Sequence, residues 1–291
     1  LLQRHAYLLN HPDYIRAVLV DNPEKFHKSP LLKRTTRDLI GYGSLVIEGD
    51  YWKKRRRLIQ PAFHHHRIAA YGDVMVQHTH KMLDTWRTGD THEMAQEMMK
   101  LTLGIAAKTL FDADVSDQAN EIGKAITVGL HATMNRIQRP MLNFFDWLPT
   151  PANRERLRSG EVLHNVIMKI INDRRASGED KGDLMSMLLL SKDEDGSGMT
   201  DRELHDEAMT LFIAGHETTA LALTWALYLL AQNPSVVDKL THELDTVLGA
   251  RAATVNDLPA LPYTEMVVKE ALRMYPPAWV ISRIAVEPVT V

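Results

Sequence analysis

Apolar residues recur along most of the chain at intervals of three and four, the spacing that is typical of amphipathic α-helices. This pattern predicts a mainly α protein with a minor β component. Strand-like runs are few, and we expect strands only at 45–48 and 280–291. The predicted helices cover 49–66, 68–87, 93–110, 116–139, 153–177, 200–232, 234–249 and 263–275. The polar segments 175–182 and 192–198 are too short to predict a domain boundary.

The helix predicted at 200–232 is the longest in the chain. Thr200 and Glu203 have the spacing of a capping box, in which each side chain accepts from a free amide of the first turn. At ~1.5 Å per residue this helix would be roughly 50 Å long, enough to span a domain. Residues 220–230 are apolar on nearly all sides, so we expect the helix to be central and buried.

The middle of this helix carries the sequence Ala-Gly-His-Glu-Thr-Thr at 214–219. Gly215 costs ~1 kcal/mol relative to alanine in a helix interior. Thr218 can donate to the carbonyl of Ala214, a bond that bends helices. Physical chemistry alone leaves two readings: a kink with satisfied core polar groups, or a functional site where a flat group approaches the glycine.

Two further motifs flank that helix in sequence. Trp52 and Arg56 are four residues apart and share a helix face, where they could grip an anionic group. Glu270 and Arg273 are three apart and can pair; a Met-Tyr-Pro-Pro sequence and a strand-like run containing Arg283 follow them. Each motif alone is weak evidence, because basic patches and such pairs are common on solvated helix faces.

Taken together and in this order, the motifs Trp-x-x-x-Arg, Ala-Gly-x-Glu-Thr-Thr and Glu-x-x-Arg resemble the cytochrome P-450 superfamily, the haem–thiolate monooxygenases. The resemblance covers essentially the whole chain. It implies the helical fold of that family, with a long central helix and a minor β component. It also implies that residues 1–291 are one partial domain, truncated at both ends.

The resemblance implies haem b as the cofactor and assigns residues to it. Trp52 and Arg56 would bind one haem propionate through strong charge-assisted contacts, and Arg283 would bind the other. Ala214 and Gly215 would lie over the distal face of the haem.

The same resemblance implies catalytic, structural and substrate-binding roles. Glu217 and Thr218 would be the acid and the alcohol that deliver protons during oxygen activation. Glu270 and Arg273 would be a buried structural pair near the haem, where loss of one partner is strongly destabilising. The substrate pocket would be apolar and would draw on Leu211, Phe212, Ala278 and Val280.

The proximal haem ligand of the family is a cysteine downstream of Glu-x-x-Arg, and this chain has no cysteine. No metal ligand is therefore assigned, and the chain by itself should not form a thiolate-ligated enzyme. Truncation is the simpler explanation. The alternative is a non-catalytic helical binding or scaffold protein that has lost the thiolate ligand. For the parent protein the resemblance implies a monooxygenase that inserts one oxygen atom of O2 into a lipophilic substrate, with motifs similar to the fatty-acid and alkane hydroxylating branches.

Composition and charge narrow the expected partners. The chain has 34 Lys and Arg against 37 Asp and Glu, a net charge of −3, which does not favour nucleic-acid binding. The resemblance implies an electron-donor protein, with ferredoxin and flavin reductase both left open; the basic segment 53–57 either contributes to its docking face or is simply solvated. We expect a cytoplasmic protein, although the chain begins with Leu1 and an N-terminal anchor stays open.

Histidine clusters give weaker signals. Three consecutive histidines at 64–66 point in different directions on a helix, so they predict a solvated helix end and not a metal site. His216 and Glu217 begin a His-Glu-x-x-His zinc motif, but the position of its second histidine is Ala220, which excludes that motif.

Overall fold

The computed structural model describes residues 5–139, 147–192 and 196–290, and over these residues the chain is mainly α-helical, as predicted. The helices are α1 (Pro12–Arg16), α2 (Pro30–Ile40), α3 (Gly49–Ile59), α4 (His65–Leu83), α5 (Met94–Phe111), α6 (Ala119–Gln138), α7 (Pro151–Ser177), α8 (Leu184–Leu190), α9 (Asp201–Gln232), α10 (Pro234–Leu248) and α11 (Pro262–Met274). The strands β1 (Phe26–Lys28) and β2 (Arg283–Ala285) pair antiparallel, with Lys28 opposite Arg283.

Several predicted boundaries differ from the observed ones. The helix predicted at 49–66 is two helices, because Pro61 lacks a backbone N–H and a 3-10 turn at 60–63 separates α3 from α4. The strand predicted at 45–48 is wrong: the amides of Val46 and Ile47 both donate to the carbonyl of Gly43, which makes a turn. The strand predicted at 280–291 is confined to Arg283–Ala285, and the sequence pattern missed α1, α2, α8 and β1.

The core lies where α5, α6, α7 and α8 surround the first half of α9. Phe111 of α5 and Phe212 of α9 are both fully buried, and their ring centroids are 5.8 Å apart. Aliphatic side chains of α6, α7 and α8 fill the space around these rings, among them Ile122, Ile126, Leu163, Ile167, Ile171, Leu184 and Leu188. This packing buries the N-terminal half of α9 on several sides at once.

The C-terminal half of α9 is much less buried than its sequence predicts. Trp225 and Leu227 are 36% and 39% exposed, and Tyr228 is 48% exposed. The expectation that the apolar segment 220–230 is buried at the centre of the fold is therefore wrong for this chain. The polar first half is the buried half instead, and hydrogen bonds and an ion pair offset the burial of its acids Asp206 and Glu207.

One buried ion pair connects α3 to this first half of α9. Arg55 is 2% exposed, and its Nη1 donates to Glu207 Oε2 at 3.2 Å. The same guanidinium donates to the carbonyl oxygen of Glu203 at 3.1 Å and to its Oε1 at 3.0 Å. Burial raises the pKa of Glu207, while Ser44 and Arg55 oppose that shift. Since a buried charge is costly without a partner, the pair holds α3 in place on α9.

The loop at 41–44 adds a second connection to α9. The backbone amide of Tyr42 donates to Asp206 Oδ2 at 2.8 Å, and that of Ser44 donates to Glu207 Oε2 at 2.9 Å. Gly43 is buried against the helix: a Cβ on it would lie 2.0 Å from Thr210 Oγ1 and 2.7 Å from the carbonyl oxygen of Asp206. The loop can approach so closely only because glycine has no side chain.

Within the described residues, no single helix is long and apolar enough to cross a membrane. Taken together, α9 and α10 would be long and apolar enough to do so, but the two helices meet at a bend of 112°.

We expect Gly43→Ala to lower the free energy of unfolding by about 1–3 kcal/mol, the usual cost of an extra methyl in a packed interior. Gly123→Ala is the matched control, because a Cβ on Gly123 of α6 meets nothing within 4 Å. That change should stabilise the protein by about 0.5–1 kcal/mol, since alanine favours the helix. Denaturant unfolding of both variants checks this; equal effects of the two changes would contradict the close approach of the loop.

Candidate active site

The motif at 214–219 lies where α9 leaves the core. Ala214, Gly215 and Thr218 are all exposed, and helical periodicity places them on one face with the half-buried Leu211. Thr218 Oγ1 donates to the carbonyl oxygen of Ala214 at 2.7 Å, which is the bond that the sequence predicts. Thr219 makes the equivalent bond to Gly215 at 2.9 Å, and its side chain lies about 100° further round the helix than that of Thr218.

The space above Gly215 is open. A Cβ built on Gly215 would meet only Leu110 Cδ1, at 3.8 Å, which is an ordinary van der Waals distance. A flat group could therefore rest against the backbone of α9 at this position without displacing a side chain of the described residues.

Glu217 is half-buried beside this open face. Its carboxylate makes no hydrogen bond or ion pair within the described part of the chain, and burial raises its pKa above the ordinary value of 4.5. A carboxyl group that binds its proton more tightly than usual is better suited than an ordinary carboxylate to accept a proton and pass it on, as a proton relay requires.

The neighbouring positions on α9 serve the core. His216 is 1% exposed, and its Nε2 lies 3.0 Å from the carbonyl oxygen of Met99. Burial lowers the pKa of His216 to about 4, so the ring is neutral and acts as a packing residue. Phe212 is fully buried against Phe111 on the side away from Ala214. It therefore packs in the core, and we do not include it among the proposed substrate-binding residues.

The predicted anion-binding residues lie near the two-stranded sheet. Trp52 is 37% exposed, and the Nζ of Lys28 lies 5.7 Å from the centroid of its ring. Because Lys28 is opposite Arg283 in the strand pair, the fold brings Arg283 towards Trp52. Burial lowers the pKa of Lys28, and the charge of Arg283 contributes to that shift. Sequence reasoning missed Lys28, because only the pairing of β1 with β2 places it here.

Arg56, Arg283 and the ammonium group of Lys28 have no carboxylate partner within the described chain. Arg56 is exposed and makes no hydrogen bond or ion pair there. Arg283 donates only to the carbonyl oxygen of Ser282, at 3.0 Å. The Nζ of Lys28 is already satisfied by the carbonyl oxygens of Ser44 and Ile47, at 2.9 Å and 2.8 Å. The two arginines thus remain available to an external carboxylate.

Glu270 and Arg273 form the predicted pair on α11. The guanidinium donates to both carboxylate oxygens at 2.7 Å, from Nε and Nη2. However, the side chains of Arg273 and Glu270 are 67% and 58% exposed, so the expected burial is not found in this chain. The remaining predicted pocket residues, Ala278 and Val280, are also exposed.

An aromatic cluster fixes the end of α11 on α9. The rings of Trp225 and Tyr275 stack with centroids 4.2 Å apart and an angle of 6° between planes. Tyr228 meets the Tyr275 ring edge-on at 6.5 Å. This cluster was not predicted, because Tyr275 follows the Glu-x-x-Arg helix by sequence and meets α9 only in the folded chain.

Large apolar side chains are exposed around this cluster. They belong to the second half of α9, to α11 and to residues 279–286, and include Leu223, Leu227, Met266, Val268, Leu272, Trp279, Ile281 and Ile284. Many exposed large apolar side chains on neighbouring elements are typical of a region that contacts another molecule or another part of a protein. A cavity of about 400 Å³ lies elsewhere, beside Asp112, Asp173 and Arg174, and none of the predicted site residues lines it.

Comparison with known proteins gives a family match over the complete chain. The family model described as cytochrome P450 matches residues 1–291. The chain is 37% identical over 284 residues to cyclooctat-9-en-7-ol 5-monooxygenase of Streptomyces melanosporofaciens, which covers 96% of the chain and 61% of the relative. It is 32% identical to pentalenene oxygenase of Streptomyces avermitilis, over 98% of the chain and 63% of the relative. It is 31% identical to cytochrome P450 4A12 of Rattus norvegicus, over 96% of the chain and 58% of the relative. The chain thus spans about three fifths of the length of these relatives.

We expect Glu217→Gln to stabilise the fold at about pH 8, because the change removes an unpaired, partly desolvated carboxylate. The pKa of Glu217 is higher in the folded state than in the unfolded state. At pH values above the folded-state pKa the ionised side chain therefore lowers the free energy of unfolding. The gain in thermal stability should shrink as the pH falls towards the ordinary value of 4.5. Glu161→Gln, at an exposed position on α7, is the control and should show no such trend. A gain that did not vary with pH would contradict the raised pKa.

Proposed function

The chain belongs to the cytochrome P450 family, and from this premise we propose that the full-length protein is a haem-dependent monooxygenase that inserts one oxygen atom of O2 into a lipophilic substrate. We take residues 1–291 as part of one domain of that family. The observation that carries the proposal is the open face of α9 at Gly215, with Glu217 and Thr218 beside it.

The residues of the chain fit a haem group. The exposed Ala214 and the open backbone at Gly215 leave room for the flat face of a porphyrin. Arg56 and Arg283 lack carboxylate partners in the described chain, and Trp52 is partly exposed in the same region. The two arginines would bind the propionates, because guanidinium groups form strong charge-assisted hydrogen bonds with carboxylates, and Trp52 would donate its indole N–H.

When bound, haem supplies the activation of O2 and the transfer of an oxygen atom. Thr218 would act beside it by ordering a water molecule, since its hydroxyl can donate and accept at the same time. While the hydroxyl donates to the carbonyl of Ala214, its lone pairs can still accept a hydrogen bond from that water. Glu217, with its raised pKa and no bonding partner in the described chain, would move protons from solvent to that water.

The substrate is proposed to be apolar. Leu211, Ala278 and Val280 lie partly or fully exposed at the open end of α9 and after α11, where they could line a hydrophobic pocket. Two relatives carry names that refer to cyclooctat-9-en-7-ol and pentalenene. For this protein the motifs favour a fatty-acid-like substrate, and a panel of fatty acids and cyclic terpenoids would distinguish the classes.

An electron-donor protein is the proposed macromolecular partner. Its class, ferredoxin or flavin reductase, can be found by reconstituting turnover with each. The alternative hypothesis, a non-catalytic binding protein, predicts that the reduced carbon-monoxide complex of the full-length protein lacks a thiolate-type Soret band. A clear band of that type would therefore support the monooxygenase.

We expect Thr218→Ala in the full-length protein to bind haem and substrate nearly normally, yet to form less product and release more peroxide for the same reductant. Product per reductant should fall by on the order of tenfold or more, since a positioned proton donor contributes roughly 10²-fold or more to a rate. Thr219→Ala is the matched control, because it loses the same kind of bond to a backbone carbonyl while its side chain lies about 100° round the helix from Thr218. If the two variants formed the same amount of product per reductant, Thr218 would have only a structural role.

The variant Glu270→Gln tests whether the pair with Arg273, which is exposed in this chain, is buried in the full-length protein as the family resemblance implies. In the 291-residue chain the change should scarcely alter thermal stability, because both partners are exposed. In the full-length protein it should lower haem content and melting temperature, if the pair is covered there. Glu265→Gln breaks another exposed pair on α11, to Lys269 at 2.6 Å, and should be neutral in both proteins. Normal haem content in full-length Glu270→Gln would overturn the structural role.

A further inference from the structure

Two histidines outside the candidate active site face each other between α7 and α9. The Nδ1 of His164 lies 3.0 Å from the Nε2 of His205, and the ring centroids are 4.6 Å apart. His205 precedes Ala214 by nine residues, or roughly 14 Å along the helix. Neither ring contributes to the core cluster or to the residues proposed for haem, so the proposed function leaves this pair unexplained.

A carboxylate orients one of these rings. The Nδ1 of His205 lies 3.1 Å from Asp206 Oδ1, while Asp206 Oδ2 accepts from the backbone amide of Tyr42 at 2.8 Å. Because a carboxylate can only accept here, Nδ1 of His205 carries the proton and its Nε2 presents a lone pair towards His164. A carboxylate behind a histidine in this way is the usual outer partner of a metal-binding imidazole.

We propose that His164 and His205 form a binding site for a divalent transition-metal ion such as Zn²⁺, with Asp206 holding His205 in the ligating tautomer and water completing the coordination. Within the described residues no three His, Cys, Asp or Glu side chains converge on one metal position, so the site is a two-histidine site. Imidazole nitrogen suits Zn²⁺, Cu²⁺ and Ni²⁺ and is a poor ligand for Mg²⁺ or Ca²⁺.

The spacing of the two nitrogens fits shared coordination. With metal–nitrogen bonds of about 2.05 Å, two ligands at right angles lie about 2.9 Å apart, and two at the tetrahedral angle about 3.3 Å apart. The observed 3.0 Å falls between these values. The ion would take the place of the proton that His164 now shares with His205, and that proton would move to the solvent-facing Nε2 of His164.

The surroundings of His164 favour the neutral ring that a metal ion needs. Burial lowers the pKa of His164, and the neighbouring His205 adds to that shift. His164 is exposed and His205 is only partly buried, so an ion can reach the pair from solvent. Since the two ligands belong to different helices, a bound ion would connect α7 to α9 and stabilise the folded state by mass action.

The experiment is a Zn²⁺ titration of the full-length protein, with Zn²⁺ alone as the probe. We expect Zn²⁺ to raise the melting temperature and to protect both histidines from diethyl pyrocarbonate, as read residue by residue by mass spectrometry. His164→Ala and His205→Ala should each weaken binding at this site more than tenfold. His242→Ala, an exposed histidine on α10, is the matched control and should leave binding unchanged.

Asp206→Asn tests the outer partner, because it keeps both ligands and can still accept from Tyr42. We expect it to weaken Zn²⁺ binding by roughly 10–100-fold, the usual effect of losing such a partner. Binding that is unchanged in His164→Ala and His205→Ala, or protection confined to other histidines such as those at 64–66, would overturn the site. No readout involves haem or turnover, so the outcome is independent of the proposed monooxygenase activity.

Discussion

The buried ion pair between Arg55 and Glu207 determines the relative position of α3 and α9, two helices that carry sequence motifs. Arg55 is 2% exposed and Glu207 is fully buried, and the guanidinium donates to Glu207 Oε2 across the contact between α3 and α9. Removing one partner of such a pair leaves an uncompensated charge in the interior, at a cost of about 3–5 kcal/mol. Because Arg56 follows Arg55 directly, the pair also sets the position from which Arg56 would reach a propionate.

The same constraint divides α9 into two halves with different tasks. Its first half is polar yet mostly buried, because Arg55 and the amides of the 41–44 loop bond to the acids Asp206 and Glu207. Its second half is apolar yet largely exposed, and the open face at Gly215 lies where the two halves meet. Glu217 lies at the boundary, where it is desolvated enough for its pKa to rise and still close to solvent.

Several features were predictable from the sequence because they depend on residues three or four positions apart. The capping box of Thr200 and Glu203, the bond from Thr218 to Ala214 and the pair of Glu270 with Arg273 all form as predicted. Helix geometry places such residues side by side wherever the helix lies. The burial of the Glu270 pair could not be predicted in the same way, since burial depends on which other segments cover the helix.

The sequence by itself determined that this protein is helical and that α9 is its longest helix, because these properties follow from periodicity and local hydrogen bonding. The motif at 214–219 could also be read from the sequence, through its resemblance to a known family. The tertiary structure alone decided which half of α9 is buried, that Lys28 lies between Trp52 and Arg283, and that His164 faces His205. Each of these contacts joins residues far apart in the chain. They form only when packing brings separate helices and strands together, and no local pattern records which segments will meet.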